Sequence, residues 1–196
     1  MQPLHRFTRI LLALSALTFV ATYFLPLWTI QLWAPQYPEG LTMHIWVNRI
    51  SGDFDIINGL NHYIGMRTIH ADMFPEFQFM DKLIGLLILL AALPVCTARR
   101  RWLYAYAALL CAVSFAGMID YYRWGYDYGH NLDPRAAISV PGMSYQPPIF
   151  GYKNLLNFVA YAGPASGGWA FIAGVVTTVA LAGWEYWRNR ARRPAS

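Results

Sequence analysis

Histidine and methionine side chains recur in one stretch of the chain at a spacing suited to binding a metal. His62, Met66 and His70 follow one another at intervals of four residues. Positions i, i+4 and i+8 of an α-helix share one face. Imidazole nitrogen and thioether sulfur suit copper, whereas magnesium and calcium prefer oxygen ligands. A helix over 53–66 therefore predicts a candidate copper site, although Gly65 weakens the expectation of a helix there.

Further nitrogen and sulfur donors lie in, or at the end of, the two long segments that separate the apolar blocks, at about 29–78 and 120–167. They are Met43, His44, Met73, Met80, His130 and Met143. The alternative interpretation is that the methionines fill gaps in packing and the histidines form local hydrogen bonds. The sequence contains no dense Met-x-x-Met or Cys-x-x-Cys motif that would decide between the two interpretations.

The two cysteines do not extend this donor set. Cys96 and Cys111 both lie inside apolar blocks. A disulfide framework or a thiolate zinc site needs paired cysteines at suitable spacing in polar segments. We therefore interpret both cysteines as small apolar packing residues.

One charged triplet follows an apolar block. Asp120, Arg123 and Asp127 have the spacing i, i+3 and i+7, so a helix would place them on one face. This pattern favours an ion pair at the membrane edge. A proton or ion pathway would instead need charges deeper in the apolar blocks. The charges nearest to the blocks all lie at block ends; they are Asp81, Lys82, Asp120 and Glu185.

Sequence motifs of common enzymes do not occur in the chain. It has no glycine-rich phosphate loop, no H-E-x-x-H and no G-x-S-x-G motif. Together with the small size of the chain, this favours a protein that is not an enzyme.

Four long apolar blocks must position the candidate copper site. Hydrophobic residues make up 57% of the 196 residues and charged residues only 13%. Each block has close to the ~20 residues that cross a bilayer and is bounded by Trp or Tyr. The predicted transmembrane helices cover about 7–28, 79–97, 102–119 and 168–187. The first block lacks a small-residue cleavage site, so we expect it to be retained as a helix rather than removed as a signal peptide.

The basic residues predict the orientation of these helices. The net charge of +5 comes mainly from arginines at block ends, so it indicates topology and not a nucleic-acid partner. In a chain with four transmembrane helices, the N-terminus, the turn between the second and third helices and the C-terminus lie on the same side of the membrane. All three segments are basic; they contain Arg6 and Arg9, then Arg99–Arg101, then Arg188, Arg190, Arg192 and Arg193. We predict that this side is the cytoplasm of a bacterial inner membrane.

Two large loops, about 29–78 and 120–167, then face the periplasm. Loops of this length usually have their own structure and carry function. The segment 40–52 fits either a short strand or an amphipathic interfacial helix. The stretch NLDPRAAISVPGMSYQPP, rich in proline and glycine, predicts ordered coil. The predicted fold is thus a single all-α integral membrane domain over 1–196, with ordered periplasmic loops.

The loops carry strings that resemble a known family. These strings are APQYPEGLTMHIW (34–46), DIINGLNHYIGM (55–66), YGHNLDP (128–134) and PGMSYQPPIFGYKNLLNF (141–158). They are similar to sequences of small four-span bacterial inner-membrane proteins encoded beside nitrous-oxide reductase and its copper-maturation genes, the nos cluster. The resemblance covers nearly the whole chain.

The resemblance implies copper handling, or assembly of a periplasmic copper enzyme, as the function. The metal ligands it favours lie within the family strings and are His62, Met66, His130 and Met143. It further implies a periplasmic or membrane protein partner of copper-enzyme maturation, beside the lipid bilayer. The alternative is a structural subunit without metal that docks a periplasmic partner through an aromatic outer surface. Glycine, proline, tyrosine and glutamine of the same strings would then maintain the fold of the loops.

The predicted topology is testable with reporter fusions. A reporter fused after Ser196 should behave as cytoplasmic, and one inserted near Glu39 or Pro141 should behave as external, because all three basic segments favour the cytoplasmic side. Alkaline phosphatase and green fluorescent protein activities measure the two states. External activity of the Ser196 fusion would contradict the four-span topology.

Overall fold

The computed structural model describes residues 3–139, 142–155 and 157–191. These residues form five α-helices and one five-stranded sheet. The helices are α1 (Arg6–Val20), α2 (Phe54–Tyr63), α3 (Met80–Thr97), α4 (Arg100–His130) and α5 (Ser166–Ala191). The strands are β1 (Trp28–Ala34), β2 (Tyr37–Ile45), β3 (Ile50–Gly52), β4 (Gly151–Leu155) and β5 (Phe158–Pro164).

Four of the described helices are long and apolar enough to cross a membrane, as the sequence predicted. They are α1 with its following turn, α3, α4 and α5. Helix α1 packs against α3 and α5, and α4 packs against the same two, which makes a four-helix bundle. Its core is apolar and includes Leu12, Phe19, Leu87, Leu103 and Leu110. Helix α4 continues to His130, well past the predicted span end near 119.

The prediction of a purely all-α fold is wrong, because the two loops between the spans build one sheet. Its strand order is β3-β2-β1-β5-β4, and every neighbouring pair is antiparallel. The first loop supplies three strands and the second supplies two. Strand pairing gives the backbone N–H and C=O groups of both loops hydrogen-bond partners. In long coil segments the same groups would have to bond to water. The ambiguous segment 40–52 is therefore strand and not helix.

Alternation of side chains explains why these strands form. In β1, Trp28, Ile30 and Leu32 face an apolar cluster, whereas Thr29 and Gln31 point to the other face. A period of two is typical of a strand with one buried face. The cluster also receives α2 and the outer end of α4. We call the sheet, α2 and this outer end of α4 the sheet domain.

The central strands β1 and β5 connect to the first and last helices through short linkers, and four residues separate the turn after α1 from β1. Strand β5 ends at Pro164, and α5 begins two residues later at Ser166. The amide of Ala165 donates to the carbonyl of Leu27 over 3.0 Å, just before β1 begins. A Cβ added at Gly168 would overlap that same carbonyl oxygen, so only glycine allows this close approach. The sheet domain is thereby fixed on the α1–α5 pair.

The opposite end of the bundle collects the basic segments. The amide of Leu4 donates to the carbonyl of Ala98 over 2.7 Å, which joins the N-terminal segment to the turn between α3 and α4. Thr8 of α1 and Arg100 of α4 both contact Glu185 of α5. We call this the basic end. Arg192 and Arg193 of the C-terminal basic flank lie outside the described residues.

Two glycines of α4 provide a matched test of the packing between α4 and the second loop. A Cβ at Gly129 would overlap the backbone of Gln146, whereas a Cβ at Gly117 would meet nothing within 4 Å. We expect Gly129→Ala to lower the free energy of unfolding by about 1–3 kcal/mol through overpacking. Gly117→Ala should leave it unchanged or raise it by up to about 1 kcal/mol, because alanine favours helix. Denaturant unfolding in detergent, followed by circular dichroism, measures both; equal effects would refute the close contact.

Candidate functional site

The helix that carries His62 is too short to include Met66 and His70, the other two residues predicted to share its face. Helix α2 ends at Tyr63, and Gly65 follows with a positive φ of 79°. Met66 and His70 therefore lie outside the helix. The prediction that His62, Met66 and His70 share one helical face is wrong. The cause is the glycine, since its left-handed conformation turns the chain away from the helix axis.

Asp53 comes directly before α2, but its side chain does not cap the helix. Its carboxylate instead accepts the amide of Thr42 over 2.9 Å, and its own amide donates to the Thr42 carbonyl over 2.8 Å. Asp53 thus extends the pairing at the end of β3 and anchors the start of α2 to β2.

Two buried asparagines of α2 hold the chain that follows. The Asn58 amide group donates to the carbonyl of Ile69 over 2.9 Å, and its oxygen accepts the Ile69 amide over 2.6 Å. Asn61 donates to the hydroxyl of Tyr128 over 2.6 Å. Buried amides need such partners, because an unpaired one costs free energy. Sequence reasoning missed both residues; polar positions on the buried face of a short helix are the signal that could have found them.

Tyr128 is neutral in this setting. Burial raises the pKa of its hydroxyl well above the ordinary value, although the hydrogen bond with Asn61 and the charge of Arg67 act in the opposite direction. The hydroxyl therefore stays protonated at neutral pH and accepts from Asn61 as a neutral group. Its ring stacks on Trp124, one turn earlier in α4, with 4.9 Å between ring centroids.

Backbone hydrogen bonds join the two loops beside His62. The amide of Asp133 donates to the carbonyl of Gly65 over 2.8 Å. The amide of Ile138 donates to the carbonyl of Tyr63 over 2.9 Å. A glycine is needed at this contact too, since a Cβ at position 65 would lie 2.7 Å from the Asp133 carbonyl oxygen. The end of α2 and the coil after α4 therefore form one continuous surface.

An open depression of about 870 Å³ lies in that surface. His62, Met66 and Met73 all line it, together with residues 131–137 of the second loop. His62 is exposed at its edge, whereas Met66 is only 9% exposed and packs into the apolar cluster of the sheet domain. Met66 also lines a cavity of about 60 Å³ beneath the sheet, so its side chain separates the depression from the interior.

The other residues favoured as metal ligands lie elsewhere. His130 is exposed at the end of α4, where its ring stacks on Tyr126 at 4.0 Å and its Nδ1 lies 2.8 Å from the Tyr126 carbonyl oxygen. Met143 is partly buried against the apolar cluster. His70 is exposed in extended backbone. Within the described ranges, none of these three side chains lines the depression.

The donor types in the depression restrict which metal fits. No three His, Cys, Asp or Glu side chains lie together in a metal-binding arrangement among residues 3–139, 142–155 and 157–191. One imidazole and two thioethers, from His62, Met66 and Met73, form a soft donor set that suits Cu(I) and not Mg²⁺ or Ca²⁺.

The charged triplet of α4 does not form the ion pair predicted within it. Asp127 pairs instead with Arg67 of the first loop and also accepts from Asn131. Both side chains of the Arg67–Asp127 pair are about half exposed, so the pair contributes at most about 1 kcal/mol. Its main effect at the site is to balance the charge of Arg67 at the edge of the depression.

The opposite face of the sheet presents aromatic side chains. Tyr152 of the edge strand β4 is 72% exposed and lies 4.9 Å from the ring of Tyr161 and 6.2 Å from that of Trp33. We call Trp33, Tyr152 and Tyr161 the aromatic patch. Rings of this kind are enriched where one protein docks on another.

Comparison with protein-family models, curated proteins and solved structures finds no match to this chain. The resemblance of the loop strings to nos-cluster membrane proteins therefore remains a prediction from those strings alone.

Asn58 offers a test of how the site is held. Asn58→Ala should lower the free energy of unfolding by about 2–3 kcal/mol, because both backbone groups of Ile69 would lose their buried partners. Exchange of the Ile69 amide hydrogen should also accelerate. Asn154→Ala is the matched control, since that asparagine is exposed on β4. Unchanged exchange at Ile69 in the Asn58 variant would show that these hydrogen bonds do not hold the segment.

Proposed function

We propose that this protein is an accessory membrane protein that handles copper for the assembly of a periplasmic enzyme of the nitrous-oxide reductase type. The observation that carries the proposal is that His62, Met66 and Met73 line one open depression of the sheet domain. Copper is cargo in this proposal, received at the depression and passed on. The role is binding and transfer, without catalysis.

The arrangement supports transfer better than permanent storage. The depression is open, and the imidazole of His62 stands at its edge, where an incoming protein can reach a bound ion. Met66 is held in the apolar cluster and Met73 lies in a short helical turn, Ala71–Met73. Thioethers bind Cu(I) without deprotonation, so only the imidazole needs to lose a proton before it binds.

The proposed orientation places the depression in the periplasm of a bacterial inner membrane. The basic end gathers the N-terminal segment, the α3–α4 turn and the end of α5, and basic segments favour the cytoplasmic side. The sheet domain lies at the other end of the bundle and would face the compartment in which nitrous-oxide reductase is assembled. This placement rests on the charge rule and on the family resemblance.

A second candidate function is docking of a periplasmic partner without metal. The aromatic patch favours it, because Tyr152 is exposed on an edge strand whose other side is open for pairing with another chain. The two functions are compatible, since the patch and the depression lie on opposite faces of the sheet domain. A complex that forms in the absence of copper would favour docking as the primary role.

Anaerobic titration of the purified protein with Cu(I), against a competing chelator, tests the copper proposal. His62→Ala, Met66→Leu and Met73→Leu should each weaken Cu(I) binding about tenfold or more, because each removes one donor. Leucine keeps the volume of methionine, so packing is retained. Binding should also weaken as the solution is acidified, since a protonated imidazole cannot bind a metal.

Matched controls separate the depression from the rest of the donor set. His70→Ala and Cys96→Ser should leave binding unchanged, since neither side chain lines the depression. His130→Ala and Met143→Leu test the wider ligand set that the family strings implied. Affinity of the His62/Met66/Met73 triple variant equal to that of the original protein would refute copper binding here. Docking through the aromatic patch would then stand alone, with Tyr152→Ser as its variant.

A further inference from the structure

A fully buried carboxylate lies at the basic end of the bundle. Glu185 of α5 is 0% exposed. Its carboxylate accepts the hydroxyl of Thr8 over 2.7 Å and the amide of His5 over 3.3 Å. A buried charge persists only when paired and hydrogen-bonded, and these contacts connect the N-terminal segment to the end of α5.

Two guanidinium groups share this single carboxylate. Nη2 of Arg188 lies 2.9 Å from Glu185 Oε2, and Nε of Arg100 lies 3.2 Å from the same oxygen. Arg100 also donates to the side chain of Asn189. One negative charge faces two positive charges, so the network retains a net positive charge. Nη2 of Arg100 and Nε of Arg188 are buried without a hydrogen-bond acceptor among the described residues.

Beside this network is an open depression of about 490 Å³. Three arginines line it, Arg6, Arg9 and Arg188, and among the described residues that line it there is no Asp or Glu. Two of the three are held in place. Glu185 fixes Arg188, and Nε of Arg9 donates to the carbonyl of Val95 over 2.7 Å. We call this depression the arginine pocket.

The backbone adds to the positive potential of the arginine pocket. Helix α1 begins at Arg6, and its first turn contains no acidic residue. The N-terminal end of a helix carries a partial positive charge that an anion or an acidic side chain normally balances. Among the described residues, the acidic group in contact with this end of α1 is Glu185, and the His5 side chain accepts the amide of Phe7. That one carboxylate is already shared between Arg100 and Arg188, so positive charge remains in excess beside the pocket.

The pocket lies at the depth of lipid headgroups. Trp184 and Trp187 of α5 are exposed on either side of Glu185 in the sequence. Exposed tryptophans near the end of a membrane helix mark the interface between acyl chains and headgroups. Arginine forks match phosphate oxygens in paired hydrogen bonds, and basic pockets between membrane helices bind anionic headgroups.

We infer that the arginine pocket binds the phosphate of an anionic phospholipid from the leaflet at the basic end. Arg6, Arg9 and Arg188 hold the phosphate oxygens, and Glu185 acts as a positioning residue that keeps Arg188 and the N-terminal segment in place. The bound lipid would supply the negative charge that the Glu185 network lacks. This inference is independent of copper binding at the sheet domain.

Lipid retention by the full-length protein tests the inference. The protein in neutral detergent is offered phosphatidylglycerol or phosphatidylcholine, and bound lipid is counted by native mass spectrometry. We expect phosphatidylglycerol to be retained preferentially. The single variant Arg6→Gln should weaken this retention about fivefold, and Arg6→Gln with Arg9→Gln should weaken it further. Arg99→Gln with Arg190→Gln is the matched control, since it removes the same charge at the same end from residues that do not line the pocket.

Each outcome decides the question. Loss of retention in the Arg6/Arg9 variant but not in the Arg99/Arg190 control supports the arginine pocket. Equal loss in both would show a general charge effect and overturn it. Inorganic phosphate is the second arm; if millimolar phosphate displaces phosphatidylglycerol from the original protein, the site takes free phosphate and the lipid assignment is wrong. Unchanged gel-filtration profiles of the variants exclude misfolding as the cause of a loss.

Discussion

Pairing of β1 with β5 joins the two outer loops, because each strand is connected to a membrane helix by a short linker, four residues after the turn that ends α1 and one residue before α5. Trp28 stands opposite Pro164 in this pairing, and Gly168 allows the start of α5 to approach the α1–β1 connection. Two antiparallel helices that pack side by side bring their connected strands within hydrogen-bonding distance. The remaining strands then add outward on both sides, so the position of the whole sheet follows from the packing of α1 against α5.

The candidate copper site depends indirectly on the pairing of β1 with β5. With both loops in one sheet, the coil after α4 reaches the end of α2, where Asp133 and Ile138 donate to backbone carbonyls. Asn58 and Asn61 then fix the chain that contains Met66 against α4. The depression exists only because two segments distant in sequence, 62–73 and 131–137, meet there. Its donors are therefore a property of the assembled sheet domain and not of a single helix.

Polar groups are handled differently at the two ends of the bundle. In the sheet domain, the buried amides of Asn58 and Asn61 and the hydroxyl of Tyr128 are neutral and hydrogen-bonded, whereas the buried hydroxyl of Tyr145 has no hydrogen-bond partner among the described residues. At the basic end, a buried carboxylate is surrounded by guanidinium groups that outnumber it. A surplus of fixed positive charge is costly in a protein interior, but it is stable beside an anionic bilayer surface.

The sequence by itself determined the membrane part of this protein. Length, apolarity and flanking aromatic residues located the four helices, because a span depends on local composition that can be read in one window. It also indicated a helix over 53–66, of which 54–63 is helical, and the donor types near it. It did not determine the sheet, since the segments 28–34 and 158–164 are short and their strand character depends on a partner far away in the chain. Nor did it determine which donors line the depression: Gly65 follows the end of the helix and precedes Met66, and Met73 lines the same depression as His62. Local patterns specify elements, whereas contacts between distant segments are fixed only when backbone hydrogen bonds and apolar burial are satisfied together.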